Sequence, residues 1–193
     1  MHRAGGVSAN SRQVVDAKAA LIADATTGQV IYQQNANRKL PVASVSKLLT
    51  ACVIEDEIQH NQLSWNDKIT VTKQVAAISN DKTYSTVGLQ QGEAYTVRDL
   101  YDSMLIKSAD GAALALATAH GQTMAQFNHK MRAKAKQIGL TDYTIVNPVG
   151  LDNEDMKGFA LKQYHQKAQN SMTARDVALL AQHLLENYPN TVQ

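Results

Sequence analysis

The sequence is poor in several residue types, and each shortage excludes a class of protein. Its one cysteine, Cys52, cannot support an internal disulfide framework. Aromatic residues make up only 5% and the formal net charge is +2, which indicates neither a base-stacking surface nor a basic face for nucleic acid. No stretch approaches the roughly 18–20 apolar residues of a membrane-spanning helix. The segment Met1–Gly6 lacks the apolar core of a secretory signal peptide, which leaves a cytosolic protein or a mature or trimmed one.

What is present is an ordinary globular composition. The 193 residues are 44% hydrophobic and 19% charged, which is enough to bury a sizeable core. We predict a single domain over residues 1–193, with a lead-in and a β-hairpin in 1–43 and a mainly helical part in 44–193. The hairpin is predicted from two short runs, Ala19–Asp24 and Gln29–Gln33, that flank a turn signal.

Apolar residues recur at helical spacing through most of the second part. A long irregular stretch at 78–92 interrupts this pattern, and such loops are often functional in compact domains. A basic run from Lys130 to Lys136 predicts a solvated helix face. Helices are predicted to begin near Ser44, Thr96, Ala112, Thr123 and Thr173, with Gly139 and Tyr188 near the ends of the last two.

One short motif, Ser44-Val45-Ser46-Lys47, has the composition of a nucleophile with its base. At a helix start, residues three apart share a face, with Cβ atoms roughly 5–6 Å apart. A serine needs a base within hydrogen-bond reach, and the partial positive charge of the helix N-terminus favours the developing alkoxide. The simpler alternative is an N-cap serine followed by a solvated lysine, because Ser-x-x-Lys alone is a weak motif.

Four separated signals stand in order along the chain and raise the specificity of this motif. The other three are Ser108-Ala109-Asp110, the run Asn147–Leu151 (Asn-Pro-Val-Gly-Leu) and the run Ser171–Asp176. In this order they resemble the serine D-alanyl-D-alanine carboxypeptidases, the low-molecular-mass penicillin-binding proteins, which are related to class A β-lactamases. The resemblance runs from about Ala20 to the C-terminus. It implies an α/β (α+β) fold of the β-lactamase/transpeptidase type, with a helical cluster against an antiparallel sheet.

The resemblance also implies roles for individual residues. Ser44 would be the catalytic nucleophile that forms an acyl-enzyme, and its backbone N–H would be one oxyanion donor. Lys47 would be the general base. Ser108 would hydrogen-bond near Lys47 and relay a proton to the leaving D-alanine, although it could equally cap the alanine-rich helix that follows. Asp110 would occupy a substrate-binding position.

The implied substrate is a peptidoglycan stem peptide, and β-lactam antibiotics would be acylating inhibitors. The family uses no metal or cofactor, and the six histidines show no metal-ligand spacing. Nucleic acid is not expected as a partner. The resemblance places the activity outside the cytoplasmic membrane, in the cell envelope or secreted.

Position 110 departs from the family pattern, because aspartate stands where the family has asparagine. Asparagine both donates and accepts hydrogen bonds, whereas an ionised aspartate only accepts. Donation to the substrate's peptide carbonyl would therefore be lost. A carboxylate close to Lys47 would also stabilise the charged ammonium and weaken the lysine as a base.

The second departure is that no Lys-Thr-Gly occurs anywhere in the chain. In the family the strand with this motif follows the last helix, completes the oxyanion hole and belongs to the sheet that the hairpin begins. The chain is therefore expected to resemble the N-terminal part of a longer protein, with an incomplete sheet. An open sheet edge favours pairing with another strand, either from a C-terminal fragment or from a second copy.

Three alternatives stay open at this stage. A truncated or degenerate penicillin-binding module would keep the fold without turnover, as Asp110 and the missing Lys-Thr-Gly suggest. A β-lactamase would share the nucleophile but deacylate fast, although no clear deacylation glutamate motif is visible and the Asn147–Leu151 run favours the carboxypeptidases. An unrelated helical protein with chance matches would not bring Ser44 and Ser108 together.

Overall fold

The computed structural model describes residues 15–189, so most of the predicted lead-in and the last four residues lie outside the described part. Within it the chain alternates short strands with helices. The strands are β1 (Ala20–Ala23), β2 (Val30–Gln34), β3 (Leu40–Pro41), β4 (Lys68–Thr70), β5 (Ala94–Thr96) and β6 (Ser171–Met172). The helices are α1 (Ser46–Gln59), α2 (Lys73–Ser79), α3 (Val97–Ile106), α4 (Asp110–Ala117), α5 (Met124–Ile138) and α6 (Ala174–Asn187). Short 3-10 helices cover Ala43–Val45, Ala119–Gly121 and Asn153–Phe159.

The predicted hairpin is confirmed as β1 and β2, which pair antiparallel. Its turn closes on Asp24, whose carboxylate accepts hydrogen bonds from the backbone N–H groups of Thr26 and Thr27. These hydrogen bonds lower the pKa of Asp24, and the one from Thr27 has the larger effect. Gly28 adopts φ 73°, a left-handed conformation that costs glycine little. Strand β1 packs on α6, and this contact joins the hairpin to the helical part.

The centre of the fold is the alanine-rich helix α4. All of its residues are buried, and their small side chains allow α2 and α3 to pack closely against it. Gly111 shows how close this approach is, since a Cβ there would lie 2.6 Å from the Cβ of Ser79. The helix predicted from near Ala112 is confirmed as α4, and its alanine-rich sequence is what permits this close packing.

Threonine caps begin three of the helices as predicted. The hydroxyls of Thr96, Thr123 and Thr173 each accept the backbone N–H three residues on. Thr123 forms a full capping box, because Gln126 accepts the N–H of Thr123 in return. Such caps contribute about 1 kcal/mol each. At the other end of α5, Gly139 is left-handed at φ 99°.

The structure contains elements that the sequence pattern did not predict. Helix α2 follows another threonine cap, Thr72, and only its last two residues fall in the stretch 78–92 that was predicted to be irregular. The loop proper therefore runs from Asn80 to Glu93. Two minimal ladders also appear, β3 with β6 and β4 with β5, each antiparallel. One of these strands is predicted: the run Lys68–Thr72 alternates and indicates a short strand, and β4 occupies its first three residues. The other three strands are only two or three residues long, too short for an alternating pattern to stand out.

The predicted solvated face of α5 is wrong at Lys134. This side chain is 4% exposed, and its Nζ lies 2.8 Å from a carboxylate oxygen of Asp56 on α1. Tyr188, just past α6, donates its hydroxyl to the same carboxylate at 2.6 Å. Burial and this hydrogen bond raise the pKa of Tyr188. Packing of α5 on α1, where Asp56 lies, therefore buries a position that helical spacing alone placed outside.

Cys52 lies inside α1 and is fully buried, as expected for a small core residue. Burial raises the pKa of its thiol to about 12, which keeps it protonated and unreactive at neutral pH. Among residues 15–189, no helix combines the length and the apolar character needed to cross a bilayer.

Candidate active site

The segment around Ser44 is held from both sides. Upstream, β3 pairs with β6, and the backbone N–H of Val42 donates to the carbonyl of Asn170 at 3.2 Å. Downstream, the chain enters the buried helix α1. Ser44 lies in the 3-10 helix that precedes α1 and is exposed to solvent. It does not cap α1, so the simple N-cap alternative for this serine does not hold.

The Asn-Pro-Val-Gly-Leu run forms the floor beneath this segment. Asn147 accepts hydrogen bonds from the N–H groups of Val149 and Gly150 and so closes the turn. Gly150, at φ 84°, lies so close to Ala43 that a Cβ would fall 1.9 Å from the Ala43 carbonyl oxygen. Ala43 itself has φ 43°, an unusual value for a residue with a side chain. The conformation that presents Ser44 therefore depends on a glycine at position 150.

Lys47 is almost completely buried, at 3% exposure, one turn after Ser44. Its Nζ lies 2.7 Å from the Ser108 carbonyl oxygen, 2.9 Å from the Ser108 hydroxyl oxygen and 2.7 Å from Oδ1 of Asp110. An ammonium has three N–H donors, and these three acceptors use all of them. A solvated lysine, the other half of the simple alternative, is therefore excluded.

Ser108 lies in the short connection between α3 and α4, with φ 54°. This left-handed conformation lets both its carbonyl and its hydroxyl reach Lys47. Ser108 does not cap α4, because the N-cap residue is Ala109 and no side-chain cap is made there. Residues held in sparsely populated backbone regions are concentrated at functional sites, and the contact with Lys47 gives this one a chemical reason.

Asp110 is the first residue of α4 and is 4% exposed. Its Oδ1 pairs with Lys47 and its Oδ2 accepts the backbone N–H of Ser85 at 3.2 Å. The backbone N–H of Asp110 donates in turn to the Ser85 carbonyl at 3.0 Å. Both carboxylate oxygens thus have partners within the protein. Asp110 therefore lies close enough to Lys47 to stabilise the charged ammonium, which was the condition for the predicted weakening of the lysine as a base.

The structure thus brings the buried Lys47 and Asp110 and the half-buried Ser108 into one cluster, with Ser44 exposed one turn before it. Two further participants were not predicted. Ser85 contacts Asp110 only through its backbone, so no side-chain pattern could have indicated it. Gly150 was part of a quoted run, but its role depends on an approach to Ala43 that only the tertiary structure shows.

Comparison with known proteins identifies the family to which the sequence motifs point. The model of peptidase family S11, described as D-alanyl-D-alanine carboxypeptidase, matches residues 6–193. D-alanyl-D-alanine carboxypeptidase DacF of Bacillus subtilis is 28% identical over 171 residues, covering 89% of this chain and 39% of that protein. DacC of Escherichia coli is 32% identical over 177 residues, covering 91% and 41%. The chain therefore spans about two fifths of the length of these relatives.

Solved structures show the same fold. A peptidoglycan synthesis regulatory factor (PBP3) from Streptococcus pneumoniae superposes with a TM-score of 0.86 at 28% identity, covering 92% of this chain and 48% of that one. Penicillin-binding protein D2 from Listeria monocytogenes, in its ampicillin-bound form, gives a TM-score of 0.74 at 30% identity, covering 94% and 66%. The predicted β-lactamase/transpeptidase-like fold is thereby confirmed.

Proposed function

Because the chain belongs to the D-alanyl-D-alanine carboxypeptidase family, peptidase S11, we propose that it carries the acylating half of a serine carboxypeptidase site for peptidoglycan stem peptides. The observation that carries the proposal is the Lys47 cluster. A buried lysine that holds both oxygens of Ser108, one turn after an exposed serine, is an unusual arrangement for mere stability. It is the arrangement that a nucleophile with a proton acceptor and a relay requires.

In the proposed reaction, Ser44 Oγ attacks the carbonyl carbon of the bond between the two terminal D-alanines. Its proton passes to a Lys47 that has given up one of its own. The backbone N–H of Ser44 stabilises the oxyanion. Ser108 then gives its hydroxyl proton to the nitrogen of the departing D-alanine and takes one back from the Lys47 ammonium, which leaves an ester on Ser44 and a neutral Lys47. Water hydrolyses this ester, and its second proton returns to the Ser44 oxygen. A β-lactam would also acylate Ser44, but its ring C–N bond would break instead and the whole opened antibiotic would stay on the serine as an ester.

Intact-mass measurement with benzylpenicillin tests this proposal. We expect the 193-residue chain to gain the whole mass of the antibiotic, since ring opening releases no fragment, and peptide mapping to place the adduct on Ser44. Ser44→Ala should stay unmodified, and it is a mild control because Ser44 is exposed and caps no helix. An adduct on another residue, or on the alanine variant, would contradict the assignment of Ser44.

The same measurement separates the two alternatives of different chemistry. An adduct that persists supports a penicillin-binding carboxypeptidase, whereas one that forms and disappears quickly supports a β-lactamase. No adduct here, but an adduct on a version extended towards the length of the relatives, would mean that the 193 residues lack part of the machinery. No adduct on either would support a penicillin-binding module without turnover.

The outer edge of β1 is the basis for a proposed partner. Among the described residues β1 pairs only with β2, and exposed apolar side chains (Ile22 and Ile31) lie on the hairpin. We expect this edge to accept a further strand, from a C-terminal fragment or a second copy. Light scattering of the purified chain should show a dimer for the second case, and Ile22→Lys should weaken it. A monomer at all concentrations would leave only the C-terminal fragment as partner.

The family also bears on location. Peptidoglycan stem peptides lie outside the cytoplasmic membrane, so we propose that the protein acts in the cell envelope or as a secreted protein. Fractionation of cells that express the natural gene product would place it with envelope or medium proteins. Recovery in the cytoplasm alone would contradict this proposal.

A further inference from the structure

The turn Asp81–Ser85 contacts the Lys47 cluster through Asp110. Ser85 exchanges two backbone hydrogen bonds with Asp110, one to Oδ2 and one from the Asp110 N–H. The turn is closed by the Tyr84 N–H, which donates to the Asp81 carbonyl at 3.0 Å. Asp81 also binds Thr83 through its side chain. The position of Ser85 is therefore set by the position of the whole turn.

The far end of this turn is anchored by the 3-10 helix Asn153–Phe159. Lys157 Nζ lies 2.7 Å from Oδ2 of Asp81 and 5.0 Å from the centre of the Tyr84 ring. The Tyr84 hydroxyl donates to the Asp155 carbonyl at 2.9 Å. The hydrogen bond between the two charged groups lowers the pKa of Asp81 and raises the pKa of Lys157, so both are ionised at neutral pH. One cation thus holds two residues of the turn.

Lys157 adopts φ 49° and ψ −124°, a backbone conformation that lies outside the regions favoured by residues with a side chain. Its side chain is 42% exposed, and exposed ion pairs contribute little to global stability. Neither feature suggests a role in holding the fold together. The contact of Lys157 with Asp81 and Tyr84 instead holds the turn Asp81–Ser85 in place.

We propose that Lys157 is a positioning residue for acylation, because it holds the turn against Asp110 and so fixes the carboxylate that pairs with Lys47. This inference rests on the proposed function. Its physical link is the Ser85 N–H, which donates to Oδ2 of Asp110 and so draws part of the carboxylate's negative charge away from Lys47 on Oδ1. Without that donor, the carboxylate turns its charge more fully on Lys47, and the lysine releases a proton less readily.

Lys157→Met removes the charge and keeps the aliphatic stem. We expect benzylpenicillin acylation of Ser44 to slow about three- to tenfold, hydrogen exchange at the Ser85 amide to accelerate, and the thermal midpoint to stay unchanged. Lys157→Arg should restore both the rate and the exchange. Lys167→Met is the matched control: Lys167 pairs with Glu154 of the same 3-10 helix but does not contact the turn. It should change neither quantity.

A second comparison tests whether Lys157 acts through the carboxylate of Asp110. In the Asp110→Asn background no carboxylate charge remains to be shared, so Lys157→Met should change the acylation rate less than twofold. An unchanged rate for Lys157→Met in an otherwise acylated protein would overturn the inference, as would an equal loss in both backgrounds. Failure of both the unsubstituted 193-residue chain and a version extended towards the length of the relatives to be acylated would instead overturn the proposed function, and if only the extended version reacts, the variants are compared in that version. Hydrogen exchange at Ser85 reports on the anchor in every case.

Discussion

Gly150→Ala should slow acylation of Ser44 by about 100-fold. The added Cβ would lie 1.9 Å from the Ala43 carbonyl oxygen, 2.4 Å from the Ala43 carbonyl carbon and 2.7 Å from the Ser46 hydroxyl oxygen. Carbon atoms do not approach backbone atoms so closely, so the Ala43–Ser44 segment must shift by about 1 Å or more to restore van der Waals contact. A displacement of about 1 Å at a reacting group costs about 100-fold in rate.

The turn that contains Gly150 cannot easily move away instead. The turn at Gly150 is closed by Asn147, and the neighbouring Pro148 carbonyl accepts the hydroxyl of Thr50 inside α1 at 2.7 Å. Thr50 and Asn147 are both buried. The segment with Ser44 is exposed and held mainly by backbone contacts, so it yields first.

The control for this prediction is Gly121→Ala. Gly121 has φ 77°, close to the 84° of Gly150, but a Cβ there would meet nothing within 4 Å. Both variants therefore carry the backbone strain of a left-handed alanine, about 1–2 kcal/mol. Only Gly150→Ala adds the collision. Stopped-flow acylation of each folded variant gives the comparison, and equal rates for the two would show that the approach to Ala43 does not position Ser44.

Asp110→Asn is expected to accelerate acylation by benzylpenicillin at least tenfold. Lys47 can accept the Ser44 proton only after losing one of its own, and the Asp110 carboxylate at 2.7 Å stabilises the charged form. Two unit charges 4 Å apart interact with about 4 kcal/mol at an effective dielectric constant of about 20. Recovery of about 1.4 kcal/mol of this amount is sufficient for a tenfold change in rate.

The substitution should also restore a hydrogen-bond donor at the position that the family resemblance assigns to substrate binding. An asparagine keeps one oxygen for the Ser85 N–H and gains an NH₂ group, which is able to donate to a substrate carbonyl. Asp56→Asn is the matched control, because Asp56 pairs with another buried lysine, Lys134, at the far end of α1. It should lower stability without raising the acylation rate. An Asp110→Asn protein that reacts no faster than the parent would show that the ion pair does not limit Lys47.

The most informative part of the sequence was its order of motifs. The family resemblance carried by that order predicts the fold class. It also predicts that Lys47 and Ser108 are neighbours: they are 61 positions apart in sequence, and Lys47 Nζ lies 2.9 Å from the Ser108 hydroxyl oxygen. The caps at Thr96, Thr123 and Thr173 were predictable because each depends on residues three positions apart. The assignment of Ser44, Lys47, Ser108 and Asp110 to catalysis and substrate binding stays a prediction, as does the single domain over 1–193.

Other features depended on contacts between distant parts of the chain. The solvent exposure predicted for Lys134 is wrong because its ammonium pairs with Asp56 on the neighbouring helix α1. Helix α2 escaped prediction because seven residues give little periodicity, although its cap Thr72 was visible. Ser85 could not be found at all, since its backbone rather than its side chain binds Asp110.

The sequence by itself determined the family, the helical caps and the chemical identity of each group near the site. These follow from residue type and from spacing of a few positions, where local geometry is nearly fixed by the backbone. Tertiary structure alone decided that Lys47 is buried with all its donors used, that Asp110 faces both Lys47 and Ser85, and that Gly150 supports Ala43. Burial and charge pairing depend on which distant surfaces meet, and only the packed chain specifies that.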